Sequence, residues 1–397
     1  MNTNEIIALD KEYIASTYGR LPLVPDHGKN ATLTDTNQNE YIDFTSGIGV
    51  NSLGIAPKKW ADAVTEQLLK VQHVSNYYYS APSSELAKKL VQASKMSKVI
   101  FQNSGAEANE AAIKAARKYS CDKYGQGRAK IITLVGSFHG RTVTTLAATG
   151  QDKFHTHFYP FTEGFDYALT GDINSLEKKL DGTVCAIMCE MVQGEGGVNV
   201  LDTDYVKEIR KICDDNDILL IIDEVQTGIA RTGKLFAFEN YGITPDIMTL
   251  AKGLGGGLPI GACVLGEKCK SVYYPGDHGT TFGGNPAVCA GANVVMDTVC
   301  ASDFLATVNQ KGEYIKNAVK SWSLPIVTDV RGLGLMIGIE VTVSHREIAC
   351  KCLENGLMIL TAGANVVRML PPLTITYEEI DAGLKILQKV LLSYQNQ

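Results

Sequence analysis

Through the middle of the chain, short continuous apolar runs alternate with stretches whose apolar residues recur every three or four positions. The runs Val99–Gln102, Lys130–Val135, Val184–Met191, Ile218–Ile222, Ile247–Leu250 and Ile260–Leu265 predict strands. Continuous rather than alternating apolarity predicts that both faces of these strands are covered. Helical spacing lies between them: Val206, Ile209 and Cys213 share one face before Asp214. Strand and helix in alternation predict an α/β domain on a mostly parallel sheet flanked by helices. The chain ends read differently. Ala31–Phe44 reads as two short strands around the turn Thr36-Asn37-Gln38-Asn39, and Trp60, Val64 and Leu68 then repeat at helical spacing. Near the C-terminus Ile380, Leu384, Leu387 and Leu391 form a stripe, with Thr376 and Glu379 spaced as a capping box at its start. These patterns predict a small α+β lobe assembled from residues 1–56 and 291–397, around a large domain at 57–290.

Composition narrows the class without choosing a chemistry. Of the 397 residues, 45% are hydrophobic and 20% charged, ordinary for a globular protein. A net charge of -6, with no basic run interleaved with aromatics, argues against a nucleic-acid surface. No apolar run reaches the roughly 18 residues of a membrane span. Met1–Asp10 carries no apolar core of signal-peptide length, so a cytoplasmic protein is expected. The ten cysteines are scattered, and the close pair Cys350 and Cys352 lacks CxxC spacing. Reduced thiols and no metal site are therefore expected.

In an open α/β sheet, ligands sit beyond the carboxyl ends of the strands, and five of those junctions are unusual. At Asn103-Ser104-Gly105-Ala106-Glu107, Ser104 and Glu107 have capping-box spacing. A helix starting there would offer the free N–H groups of Gly105 and Ala106 to an anion such as phosphate. A simple capped helix explains the motif as well. At Ser137-Phe138-His139-Gly140-Arg141, an aromatic ring could stack on a planar ligand and the arginine clamp a carboxylate, although a core Phe and a surface Arg are the plainer alternative. Glu190-Met191-Val192-Gln193-Gly194-Glu195-Gly196-Gly197 carries two acids into a glycine-rich bend, and solvated loop carboxylates would read the same way. At Leu219–Ile222 four apolar residues lead into Asp223 and Glu224. An acid at such an exit is costly unless a cation or strong donors meet it, and a protonated heteroaromatic nitrogen would serve. Finally, Lys252 ends an apolar strand and is followed by Gly253, Gly255, Gly256 and Gly257. A buried lysine has a lowered pKa and can act as an amine nucleophile. A P-loop is excluded because the lysine precedes the glycines. Gly332-Leu333-Gly334 precedes a strand-like run, so it is a weak dinucleotide signal. Together the junctions supply a phosphate cradle, a stacking ring, an acid for a pyridine nitrogen and an amine for an aldehyde, which is what pyridoxal phosphate requires.

In order and spacing these motifs resemble the class III (subgroup II, ornithine-type) pyridoxal-phosphate aminotransferases over nearly the whole chain. The resemblance rests on Tyr41–Phe44 with Gly47–Gly54, Asn103–Glu110, Ser137–Arg141, Glu190–Gly197, Ile222–Gly233, Thr249–Gly257, Gly279–Pro286 and Arg368–Pro372. It implies the fold type I of pyridoxal-phosphate transferases. It also implies that Lys252 carries the cofactor as a Schiff base and shuttles a proton, while Asp223 pairs with the ring nitrogen. Phe138, with His139 beside it, would stack on one ring face, Val225 pack on the other, and Gln226 reach the ring hydroxyl. Ser104, Gly105 and Ala106 would hold the phosphate, helped by Thr280 and Thr281 of a neighbouring subunit, which requires a homodimer. Arg141 and Arg368 would bind substrate carboxylates, with Glu195 pairing to Arg368 when the substrate end is basic or neutral. The substrates implied are N-acetylornithine and 2-oxoglutarate, in arginine biosynthesis. Ornithine, succinylornithine, succinyldiaminopimelate and 4-aminobutyrate are the alternatives.

The chain departs from the family pattern at Glu190-Met191, where Glu-Pro is usual, and at Gly54-Ile55, where Gly-His is usual. Ile48 stands where ornithine enzymes can present a tyrosine, which favours the acetylated donor. Tyr18, near the carboxylate-binding tyrosine of the ornithine enzymes, pulls the other way. An aminomutase-like reaction needs no second dicarboxylate, so two carboxylate-binding arginines and a gating acid speak against it. A non-catalytic relative would have lost Lys252 or Asp223.

Overall fold

A strand apolar at every position must have a helix on each side, and Leu219–Ile222 meets that condition. In the computed structural model, which describes Met1 to Tyr394, Leu219 and Ile221 pack in one apolar cluster with Ala111, Ala112, Ala115 and Ala116 of the helix Gly105–Tyr124. Leu220 and Ile222 point the other way and pack with Val206, Ile209 and Cys213 of the helix Thr203–Asp215. The two-residue period of a strand thus sorts alternate residues between two helical layers.

This strand sits at the centre of a seven-stranded sheet. Its members are β1 (Lys98–Gln102), β2 (Lys130–Leu134), β3 (Phe165–Ala168), β4 (Val184–Cys189), β5 (Leu219–Asp223), β6 (Ile247–Leu250) and β7 (Gly261–Leu265). They lie in the order β1-β7-β6-β5-β4-β2-β3. The pairings from β6 across to β3 are parallel, whereas β7 runs antiparallel to both β6 and β1. The expected α/β architecture with a mostly parallel sheet is what forms. β3 was not foreseen: Phe165-Asp166-Tyr167-Ala168 contains a charge and lies at the sheet edge, where only Ala168 is buried. The run expected to continue to Met191 ends at Cys189, because Val192–Gln193 turns into a separate two-residue hairpin with Asn199–Val200.

Strands Pro25–Lys29, Thr32–Asp35 and Glu40–Asp43 form an antiparallel meander. Its fourth strand, Leu357–Met358, comes from the far end of the chain and pairs parallel to Glu40–Asp43, with Leu357 opposite Ile42. A second sheet of Val327–Leu333, Met336–Val341, Val366–Met369 and Leu360–Ala362 is antiparallel throughout. The closing helix Tyr377–Leu392 starts with the foreseen capping box of Thr376 and Glu379. The Glu379 carboxylate also accepts from Asn30 Nδ2 at 2.6 Å and from the Ala31 amide at 3.1 Å, tying the two chain ends together. The boundary expected at residue 290 falls inside the helix Pro286–Val299. Among the described residues no single helix is long and apolar enough to cross a membrane.

Candidate active site

The carboxyl ends of β1, β2, β4, β5 and β6 open into a cavity of about 510 Å³, within the range of roughly 300–1,000 Å³ common for small-molecule sites. Five chain junctions meet there, and each presents the group its local structure dictates.

After β1 the chain turns into the helix Gly105–Tyr124. Ser104 is its N-cap, accepting from the Glu107 amide at 3.2 Å. Glu107 does not close the expected box on Ser104. Its carboxylate accepts from the Asn103 amide instead, at 2.6 Å. The first amides of the helix, at Gly105 and Ala106, line the cavity where no intrahelical acceptor reaches them. Gly105 is obligatory for space: a Cβ there would lie 2.6 Å from a methyl of Val225 across the cleft.

The alternation that buries Leu219–Ile222 also sorts the two acids after them. Asp223 lies on the side of the helix Gly105–Tyr124 and meets Asn109. Its carboxylate accepts from Asn109 Nδ2 at 2.8 Å and from the Val225 amide at 2.9 Å, with His139 Nδ1 also at 2.8 Å. An ionised carboxylate can only accept, so the imidazole donates. The second Asn109 hydrogen goes to the carbonyl of His139 at 2.7 Å, which fixes the pair as a unit. Asp223 is 3% exposed, and that exposure is toward the cavity.

Glu224 faces the opposite layer, where the Thr227 hydroxyl and the Phe238 amide donate to it. Burial pushes its carboxyl up to about 7. Between the ordinary glutamate value of about 4.3 and that raised value, the folded protein keeps a proton the unfolded chain has lost. Stability from this group is therefore complete below about pH 4.3 and declines as pH rises through 7. Urea titrations from pH 4.5 to 7.5 should show a shallower decline in Glu224→Gln than in the parent. An unchanged slope would exclude Glu224 as its source.

At the end of β4, Glu190 lines the cavity with its two oxygens on the amides of Phe138, at 2.8 Å, and Gly194, at 3.4 Å. Burial raises it to about 7; His139 opposes the shift and Asp223 adds to it. Beyond β6, Lys252 adopts a φ of 41°, a left-handed backbone that costs a non-glycine residue on the order of 1 kcal/mol. Ser52 Oγ braces the next residue through the carbonyl of Gly253 at 2.7 Å. Burial depresses the lysine pKa and Arg368 adds to that; Glu195, Asp223 and Glu190 act against it. This shift raises the neutral, nucleophilic share of the amine relative to a lysine in water.

Glu195 and Arg368 close one side. Arg368 Nη1 lies 2.6 Å from Glu195 Oε1 and also donates to Gln226 Oε1 at 3.0 Å. Burial disfavours the Glu195 carboxylate, but the Arg368 guanidinium outweighs it and holds the group below its ordinary range. Arg368 is 2% exposed, and its Nε has no partner. Phe138, Val225 and Arg141 line the remaining walls.

The structure thus gathers Lys252, Asp223, Ser104, Gly105, Ala106, Phe138, His139, Val225, Gln226, Arg141 and Glu195 around one cavity, with Arg368 directly behind Glu195. Thr280 and Thr281 are not part of this wall: Thr280 Oγ1 accepts from Asn103 Nδ2 of its own chain at 2.9 Å, and Thr281 is exposed. Tyr18 is 75% exposed and also lies outside the cavity. Asn109 was not foreseen as a site residue. Its signal was available, since it stands one helical turn after Gly105 and so on the same face.

Residues 13–391 match the family model for class-III aminotransferases. The acetylornithine aminotransferase of Haemophilus ducreyi is 51% identical over 98% of this chain and 99% of its own. Among solved structures, the ornithine aminotransferase of Toxoplasma gondii superposes with a TM-score of 0.95 at 31% identity, covering 100% of this chain and 96% of that one. The N-acetylornithine aminotransferase of Stenotrophomonas maltophilia gives 0.85 at 35% identity, with 98% and 99% covered.

Proposed function

The chain belongs to the class III aminotransferases, fold type I enzymes that work with pyridoxal phosphate, and on that premise we propose that it transfers the terminal amino group of N-acetylornithine to 2-oxoglutarate. The observation that carries the substrate reading is the closed Glu195–Arg368 pair beside Lys252, taken with the 51% identity to a relative of that name.

The residues present fit the cofactor. A helix N-terminus with no room for a Cβ at Gly105 suits its phosphate. Asp223, oriented by Asn109 and His139, suits its ring nitrogen, and an aromatic and an aliphatic wall at Phe138 and Val225 suit its ring. Bound there, pyridoxal phosphate supplies a carbonyl that joins to amines and a ring that draws electrons from the adjoining carbon. Lys252 would hold that carbonyl through its amine and, once freed, would serve as the acid–base group beside the reacting carbon. Asp223 would keep the ring nitrogen protonated. Gln226, whose Oε1 accepts from Arg368 and whose Nε2 donates to Glu195, would meet the ring hydroxyl. Thr280 and Thr281 of a second copy complete the phosphate site, so the working form is a homodimer in the cytoplasm, serving arginine biosynthesis.

Arg141 takes a carboxylate in both half-reactions. An acyl-capped donor has no second carboxylate for Arg368, and an unpaired buried guanidinium is costly. Glu195 removes that cost in the donor half and gives way to the second carboxylate of 2-oxoglutarate or glutamate. Glu195→Ala should therefore slow the N-acetylornithine half-reaction by roughly tenfold or more, and the glutamate half-reaction much less. Single-turnover absorbance changes for each half measure this, and equal losses in both would overturn the gate. The same assay across donors should rank N-acetylornithine above ornithine and 4-aminobutyrate.

A further inference from the structure

Arg141 is the cavity's exposed cation, and among the described residues its guanidinium faces two aromatic rings rather than a carboxylate. The guanidinium carbon lies 4.2 Å from the centroid of Phe154 and 5.7 Å from that of Phe138. The rings meet edge to face, with centroids 5.9 Å apart and planes at 68°. Phe154 ends a single 3-10 turn, Asp152–Phe154, well outside the strand-end motifs. Its position is nonetheless set by the segment that carries Phe138. The Gly136 amide donates to the carbonyl of Gly150 at 2.7 Å, the Gly150 amide to Ser137 Oγ at 3.1 Å, and Gln151 Nε2 to the carbonyl of Ser137 at 3.0 Å. The Phe154 amide then closes on the carbonyl of Gln151 at 3.0 Å. Lys153 also places its ammonium 5.0 Å from the Phe154 ring.

An arginine that must receive a carboxylate cannot be parked on an acid without competing with the ligand. A ring face attracts the cation through its quadrupole and leaves the N–H groups free for a forked pair of hydrogen bonds. The planar guanidinium, unlike an ammonium, suits both contacts at once. We propose that Phe154 is a positioning residue for substrate recognition, a platform that holds the Arg141 guanidinium at the cavity rim ready for a substrate carboxylate. The inference rests on the reading of Arg141 as a carboxylate ligand.

The test uses the holoenzyme and two probes: 2-oxoglutarate in steady state, and glutarate, an unreactive dicarboxylate, in equilibrium titration by calorimetry. Phe154→Leu keeps an apolar side chain but removes the ring face. It should raise the KM for 2-oxoglutarate and the Kd for glutarate by about fivefold to tenfold, with kcat within about twofold. Phe154→Tyr should restore both constants, and thermal midpoints within a few degrees of the parent would show that the fold is retained. Arg141→Ala should weaken glutarate further, and adding Phe154→Leu to it should change nothing more. Weak glutarate binding in Arg141→Ala with normal binding in Phe154→Leu would overturn the platform and leave the arginine reading standing. Normal binding in both would overturn the arginine reading itself. Equal defects in the leucine and tyrosine variants, or a fall in kcat alone, would make Phe154 a packing residue and overturn the proposal. If the leucine variant fails to fold, Phe154→Met serves in the same comparison.

Discussion

Lys252→Ala should lower turnover by about a thousandfold or more, since on the proposed reading this one side chain both holds the cofactor and moves the proton. The loss should not come from unfolding. The amine lines the cavity wall half-buried and desolvation penalises its charged form, so removing it relieves a desolvation cost, and alanine at a φ of 41° carries no more strain than lysine does. Thermal denaturation of the apoprotein should therefore show a midpoint at or above that of the parent. Borohydride treatment of the loaded parent should fix the cofactor to the peptide containing Lys252, and treatment of the variant should fix none. Cofactor recovered on another lysine, or turnover above about one per cent in the variant, would end the assignment.

Asp223→Ala should show the next largest effect, a fall in turnover of about a hundredfold or more, matching the loss of one well-placed charge worth about 3 kcal/mol in the barrier. Here stability should fall as well. The Asn109 amide and the His139 imidazole both point at this carboxylate from buried positions. Each donor left without an acceptor costs about 1–3 kcal/mol. Asp223→Asn separates the two effects: it refills the space and can still accept from Asn109, but carries no charge for a ring nitrogen. Turnover in that variant should stay near the alanine level while the urea midpoint moves back toward the parent. Near-normal turnover in either variant would refute the role.

The fold was legible where burial leaves a one-dimensional trace. Leu219–Ile222 could only be a strand between two helical layers, and the acid directly after it could only be expensive or useful. The direction of β7 was not legible, because an apolar run reads the same in either orientation. β3 was missed because an edge strand with one buried residue has no run to see. Within the site, each strand-end motif pointed to its own residue, and their convergence followed from their lying at the carboxyl ends of one sheet; only the pairing of Glu195 with Arg368 depended on family resemblance. Glu195 and Arg368 are 173 residues apart, and no local pattern announces such a pair. Asn109 was hidden in an alanine-rich helix, and Phe154 in a turn whose place depends on the contact between Gly136 and Gly150.

The pairing of Leu357 with Ile42 has a consequence for synthesis on the ribosome. The N-terminal meander emerges first, yet the strand that completes its sheet follows roughly 300 residues later, about 15 to 60 s behind it at ordinary elongation rates. For that interval Glu40–Asp43 presents an open edge to any other nascent strand. A delay about half as long applies to β1, whose partner β7 appears roughly 160 residues after it. Newly made chains stalled before residue 357 should accordingly be substrates for chaperones and proteases.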